Sequence, residues 1–161
     1  MLFNRLLAAA ALVLASTASL AAAELIHATP EMAQFANAMR RTGYSAEVKT
    51  AANGPARIRS MIVGKPFSVA TAGCRANRSC DVINYVISSL APGAMTSQAV
   101  SEFNLTSIAA NLALTEVDGK KVFILRTTVM TQGGITEDLL EGSLNLWRMD
   151  VSKLLKSFSR P

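Results

Sequence analysis

The sequence predicts an α+β domain: an antiparallel sheet of about six strands packed with three helices, in the order α-β-β-β-β-α-β-β-α. Three observations carry this. Residues 44–90 alternate apolar and polar side chains at a period of two, interrupted only by short turn signals. Two stretches, 29–43 and 136–158, repeat their apolar residues at helical spacing instead. A second alternating pair, residues 112–117 and 120–130, is joined by Asp118-Gly119, the dipeptide that favours a two-residue hairpin. Strands joined by short turns pair antiparallel, so the helices gather on one face.

The first element is "TPEMAQFANAMRRTG". Thr29 is its expected cap, Pro30 its first helical residue and Gly43 its stop. Met32, Phe35, Ala36 and Met39 make one apolar face. Tyr44, Ala46 and Val48 then point one way while Ser45, Glu47 and Lys49 point the other. Asn53-Gly54 and Gly64-Lys65-Pro66 are the next turns, enclosing "RIRSMIV" as a strand. "FSVATAG" and "DVINYVISSL" follow as the third and fourth strands, with the two cysteines between them. Ala91-Pro92-Gly93 ends the run. A helix begins near Thr96 or Ser97, with Val100, Phe103 and Ile108 as its buried positions. After the Asp118-Gly119 hairpin, Gly133-Gly134 leads to the last helix, capped by Thr136.

Before these elements stands "MLFNRLLAAAALVLASTASLAAAELIHA". Arg5 precedes an uncharged run, and Ala21-Ala22-Ala23 forms an A-x-A site, the layout of a secretory signal peptide. Residues 1–23 are therefore expected to be removed, leaving 24–161 as a single domain in the periplasm or outside the cell. The run is about long enough to span a bilayer. Its dilution by Ala, Ser and Thr, and the A-x-A at its end, argue against a retained anchor.

The chain has 16 Lys and Arg against 11 Asp and Glu; without Arg5 the balance is 15 to 11, a net of +4. The cations are scattered, and no aromatic residues alternate with them, so no nucleic-acid surface is expected.

Cys74 and Cys80 are the only cysteines. Export would place them where thiols oxidise. Their five-residue gap is not the C-x-x-C redox spacing, and no second pair or nearby histidine completes a zinc site. A structural bridge is the favoured reading, worth about 2.4 kcal/mol for a seven-residue loop. A redox-labile switch and free thiols are the other two.

Catalytic chemistry finds no support. His27, the single histidine, falls on a short N-terminal arm read as mobile, so no serine or cysteine nucleophile has a base. Glu137, Asp138 and Glu141 complement the N-terminus of the last helix. Gly133-Gly134 lacks the lysine and spacing of a phosphate-binding loop. No cofactor, metal or catalytic residue is assigned.

The last helix is the most regular feature. Leu140, Leu144, Trp147, Val151, Leu154 and Phe158 form a seam with a 3.5-residue repeat, along a helix roughly 34 Å long. Most of that seam should complete the core. Its C-terminal part, Trp147, Val151, Leu154 and Phe158, is the candidate contact surface for a protein partner or a second copy of the chain. Leu154 to Phe158 is expected to overhang the sheet.

The segments "GYSAEV", "NGPARIRSMIVGKPFSVATAGC" and "CDVINYVIS", then "AVSEFN", then "DGKKVFILRTTVMTQGGITEDLL", resemble in order the YbjN-domain proteins, described as bacterial sensory-transduction regulators. The likeness runs from about Thr29 to Phe158. It includes an aromatic-Asn pair, here Phe103-Asn104, where a tryptophan is common at the aromatic position. It implies a fold like that of type III secretion chaperones, and hence a binding or regulatory module rather than an enzyme. A small-ligand or redox-responsive envelope sensor using Cys74 and Cys80 is the alternative.

Overall fold

The computed structural model describes residues 24–50, 55–75 and 79–158. The expected signal peptide, the Asn53-Gly54 turn and the tip of the cysteine loop lie outside the described residues. Nine elements follow in the expected order: α1 (Ala33–Arg41), β1 (Glu47–Lys49), β2 (Arg57–Ile62), β3 (Lys65–Cys74), β4 (Cys80–Leu90), α2 (Ser97–Thr106), β5 (Asn111–Val117), β6 (Lys120–Met130) and α3 (Glu137–Phe158). All strands join one antiparallel sheet in the order β1-β2-β3-β4-β6-β5.

Helix α1 begins later than its sequence signals. Pro30 occupies a turn closed by the Met32 N–H donating to Thr29 O at 3.1 Å, and Met32, not Thr29, stands at the helix N-cap with φ 60°. Proline is as well suited to the second position of such a turn as to the first of a helix. The other end is as expected. Gly43, at φ 87°, donates to Arg40 O, and Tyr44 donates to Met39 O, the paired bonds of a Schellman stop.

Alternation decides which face of each strand enters the core. Along β2, Ile58, Ser60 and Ile62 are buried while Arg57, Arg59 and Met61 are exposed. Phe67 and Val69 of β3, Ile83, Tyr85 and Ile87 of β4, Phe123 and Leu125 of β6, and Leu112 of β5 continue that inner face. Helices α1 and α3 cover it with Phe35, Ala36 and Met39 and with Leu140, Leu144 and Trp147. The β2–β3 turn is Val63-Gly64, both at positive φ, so Lys65 and Pro66 belong to β3 and not to the turn. A two-residue hairpin of this type needs positive φ at both positions, which places strain on the β-branched Val63.

The N-terminal arm is docked, contrary to the expectation of mobility. Ile26 exchanges both backbone bonds with Ile135, at 2.8 and 3.0 Å, and Ala28 O accepts from the Cys80 N–H. His27 lies against Gly134, where an added Cβ would come within 2.9 Å of the ring. The glycine before the last helix therefore makes room for the arm, not for a phosphate.

Cys74 and Cys80 form a disulfide between directly paired residues of β3 and β4. Cys80 is fully buried, and its carbonyl accepts from the buried Thr131 hydroxyl at 2.8 Å. The bridge therefore fastens the end of a hairpin that is already anchored to β6. Replacing both cysteines with serine should lower stability by about 2 kcal/mol with an unchanged circular-dichroism spectrum. A lost β-sheet signal would show instead that the bridge is needed to form the hairpin.

Candidate binding surfaces

The seam of α3 is built from the residues expected, but its role differs. Leu140, Leu144, Trp147, Val151 and Leu154 are all buried in the domain's own core. Trp147 packs with Phe67 and Tyr85, ring centroids 6.2 and 6.0 Å away, and those two rings meet edge to face at 6.0 Å. Ser143 Oγ donates to Leu140 O at 2.8 Å, so the Tyr85 hydroxyl donates to Ser143 Oγ at 2.9 Å. Burial pushes the Tyr85 phenol far above its ordinary pKa, and the Ser143 bond offsets only part of this. Trp147, Val151 and Leu154 are thus core rather than open contact surface, because the sheet is long enough to reach under the helix. Leu154 does not overhang it.

The end of the seam nevertheless borders a cleft. Between the C-terminal turns of α3, the start of β3 and the ends of β4 and β6 lies a half-enclosed cavity of about 360 Å³. Val151, Leu154, Leu155 and Phe158 form its helical wall, facing Pro66, Ile87, Leu90 and Phe123. Leu155 and Phe158 are half-buried and form its rim, while Leu90 is exposed. Its size is at the small end for ligand sites and suits one or two apolar side chains. Among the described residues no carboxylate or histidine lines it, and Lys65, Ser88 and Ser89 are its polar side chains.

Residues 32–160 match the YbjN family, "Putative bacterial sensory transduction regulator". The chain belongs to the YbjN family. Two solved structures share its fold. One is the crystal structure of YbjN, "a putative transcription regulator from E. coli", with a TM-score of 0.58 at 9% identity over 80% of this chain and 90% of that one. The other is an uncharacterized protein from Methanothermobacter thermautotrophicus, with a TM-score of 0.50 at 10% identity over 80% of this chain and 99% of that one. No curated protein matches the chain in sequence.

Two residues of this YbjN domain hold α2 and its exit in place. Asn104, from the aromatic-Asn pair, donates from Nδ2 to Leu112 O at 2.9 Å, and its Oδ1 accepts from Leu112 N at 2.7 Å. Its amide thereby acts as one residue of a neighbouring strand along the outer edge of β5, where unpaired backbone would otherwise be open. Phe103 enters the core beside it, with Lys153 Nζ 5.5 Å from the ring centroid. Asp150, only 1% exposed, accepts from three consecutive amides: Ile108 N at 3.0 Å, Ala109 N at 2.9 Å and Ala110 N at 2.8 Å. Ile108 itself is exposed, because α2 ends at Thr106 and the chain turns over Asp150.

The remaining acids do not converge. Glu137 pairs with Arg41 at 3.1 Å on the surface. Among the described residues no three or more His, Cys, Asp or Glu gather where a metal could be held. No described helix is long and apolar enough to cross a membrane.

The outer face of the YbjN sheet is the second surface. No described helix covers it, and its strands present Arg57 and Arg59 from β2, Ser68 and Ala70 from β3, Asn84 and Val86 from β4, and Arg126 and Thr128 from β6. Thr128 donates to Asn84 Oδ1 at 2.7 Å across its centre.

Proposed function

We propose that this chain is an exported, non-enzymatic YbjN-domain protein that binds another polypeptide, in a chaperone-like or regulatory role. The observation that carries the binding role is the cleft at the end of α3. It is half-open, with an apolar wall of Val151, Leu154, Leu155 and Phe158 and with Lys65, Ser88 and Ser89 among its other lining residues, which suits insertion of a partner's apolar side chain with polar groups beside it. Membership of a family of regulators agrees with this. Export is supported by the signal-peptide layout of residues 1–23 and by a disulfide that belongs in a non-reducing compartment.

A photo-crosslinking residue at position 155, on the cleft rim, tests the binding role in living cells. Discrete protein adducts should form from position 155 and not from position 102 on the exposed side of α2. Equal, diffuse labelling from both would remove the cleft from the proposal. Intact-mass measurement of the native protein tests export separately: the expected N-terminus is Glu24, and a chain retaining residues 1–23 would contradict it.

A further inference from the structure

The outer sheet face carries a charge imbalance that the fold does not resolve. Strand alternation places Lys49, Arg57, Arg59, Lys120 and Arg126 on this face, with Glu47 as the one carboxylate among its described strand residues. Glu47 is already paired with Lys49. Arg57, Arg59 and Arg126 are exposed, and none forms a salt bridge among the described residues. A face that carries unpaired charge of one sign attracts and orients a partner of the other sign.

Register fixes where those cations stand. Arg59 pairs with Ser68, Ser68 with Val86, and Val86 with Arg126, so one straight row crosses four strands with an arginine at each end. Three interstrand steps of about 4.8 Å put the two arginines about 14 Å apart. Between them the floor is Ser68 and Val86, both half-buried and low, with Ala70 and Asn84 in the next row. A shallow basin on the Arg59 side, bordered by Arg57, Met61, Ser68 and Val86 and by Glu47, which pairs with Arg59 in register and with Lys49 through its carboxylate, continues that floor.

We propose that this face docks an extended acidic polypeptide segment that crosses the strands, its carboxylates at positions i and i+4 held by Arg59 and Arg126. In an extended chain, residues i, i+2 and i+4 share one face, and four residues span about 14 Å. The two carboxylates then meet the arginine forks, while the i+2 side chain rests on Ser68 and Val86. Arginine is suited to this because its planar fork pairs with a carboxylate through two bonds. The same chemistry recognises phosphate, but other features favour a polypeptide. Among the described residues no aromatic side chain stands on this face to stack a nucleobase; Phe67, Tyr85, Phe123 and Trp147 all point to the core. The central apolar groups Val86 and Ile124 are half-buried and do not project as membrane-inserting residues do. Neither Arg59 nor Arg126 lines the cleft beside α3, so the proposal does not depend on it.

The test uses the mature protein and a fluorescent peptide with the core Glu-Ser-Ala-Ser-Glu, read by anisotropy. The peptide should bind at least tenfold more tightly than its Gln-Ser-Ala-Ser-Gln counterpart and than a version with its two acids at i and i+2. The Arg59→Gln/Arg126→Gln protein should lose at least tenfold, and Lys156→Gln on α3 should change nothing. Equal affinity for the acidic and neutral peptides, or for the two acidic spacings, would overturn the proposal. Retention by phosphatidylglycerol vesicles or single-stranded DNA that exceeds peptide binding and needs the same two arginines would reassign the face to lipid or nucleic acid. A thermal melt checks that the double variant folds; if it does not, the peptide-side comparison still decides.

Discussion

Replacing Asp150 with alanine is expected to destabilise the protein by about 3–5 kcal/mol, the largest loss foreseen for any single polar group here. Its carboxylate accepts from three successive backbone amides at 2.8–3.0 Å in a site that is 1% exposed. A bond to an ionised acceptor contributes more than a neutral one, and each amide left unpaired in the interior costs about 1–3 kcal/mol. Alanine removes the acceptor from all three and cannot be replaced by bulk water without opening the contact between α3 and the turn at residues 107–110. Asparagine should fall between, since its one carbonyl oxygen accepts while its amide NH2, itself a donor, faces a backbone N–H. A urea melt measures the loss. Hydrogen exchange locates it, because the amides of Ile108, Ala109 and Ala110 should exchange early in the variant while those of β4 and β6 stay protected. A loss under about 1 kcal/mol would show that the turn is held by its own Ser107–Ala110 bonds.

Asp150 was within reach of the sequence. It stands three residues after Trp147 and four before Leu154, inside the apolar stripe of the last helix, where an acid must find donors or stay at the surface. Which donors it meets depends on α2 ending at Thr106, and that boundary carries no glycine or proline to mark it. For the same reason Ile108 reads as helical core in the sequence and is exposed in the fold. Asn104 is harder still. Its partner is the backbone of Leu112, and backbone groups leave no trace in residue identity. The element order was legible because period-two alternation, the Asp118-Gly119 hairpin and the α3 seam each have a local cause. Sheet order was only partly so. The hairpin pairs β5 with β6, and it is β6 that lies beside β4; both have 11 residues and β5 has seven, so the long strands fill the middle. The docked arm was missed because a short polar-flanked stretch around His27 gives no hint of the Ile26–Ile135 bridge.

The C-terminal end of α3 sets two adjacent leucines against each other. Leu154→Asp is expected to unfold most of the protein, with a loss of at least about 4 kcal/mol, because an unpaired charge would enter the interior. Leu154 is 3% exposed and sits one turn beyond Val151 over the inner face of the sheet. Set against a total stability of about 5–15 kcal/mol, such a loss leaves little margin. Leu155 points towards the rim of the cleft and is half-buried, so an aspartate there can turn its carboxylate to water. Leu155→Asp should therefore cost only about 1 kcal/mol, mainly from lost apolar burial, and keep a cooperative melt. The same change places a charge at the mouth of the cavity of about 360 Å³, so adducts formed from a photo-crosslinking residue at position 158, on the same rim, should disappear while the fold persists. Thermal melts and light scattering on the two variants separate packing from association. A Leu154→Asp protein that melts like the parent would mean that the last two turns of α3 swing free of the sheet, and the cleft would lose its helical wall. Leu155→Asp losing as much as Leu154→Asp would mean instead that the cleft closes over both residues and offers no opening to a partner.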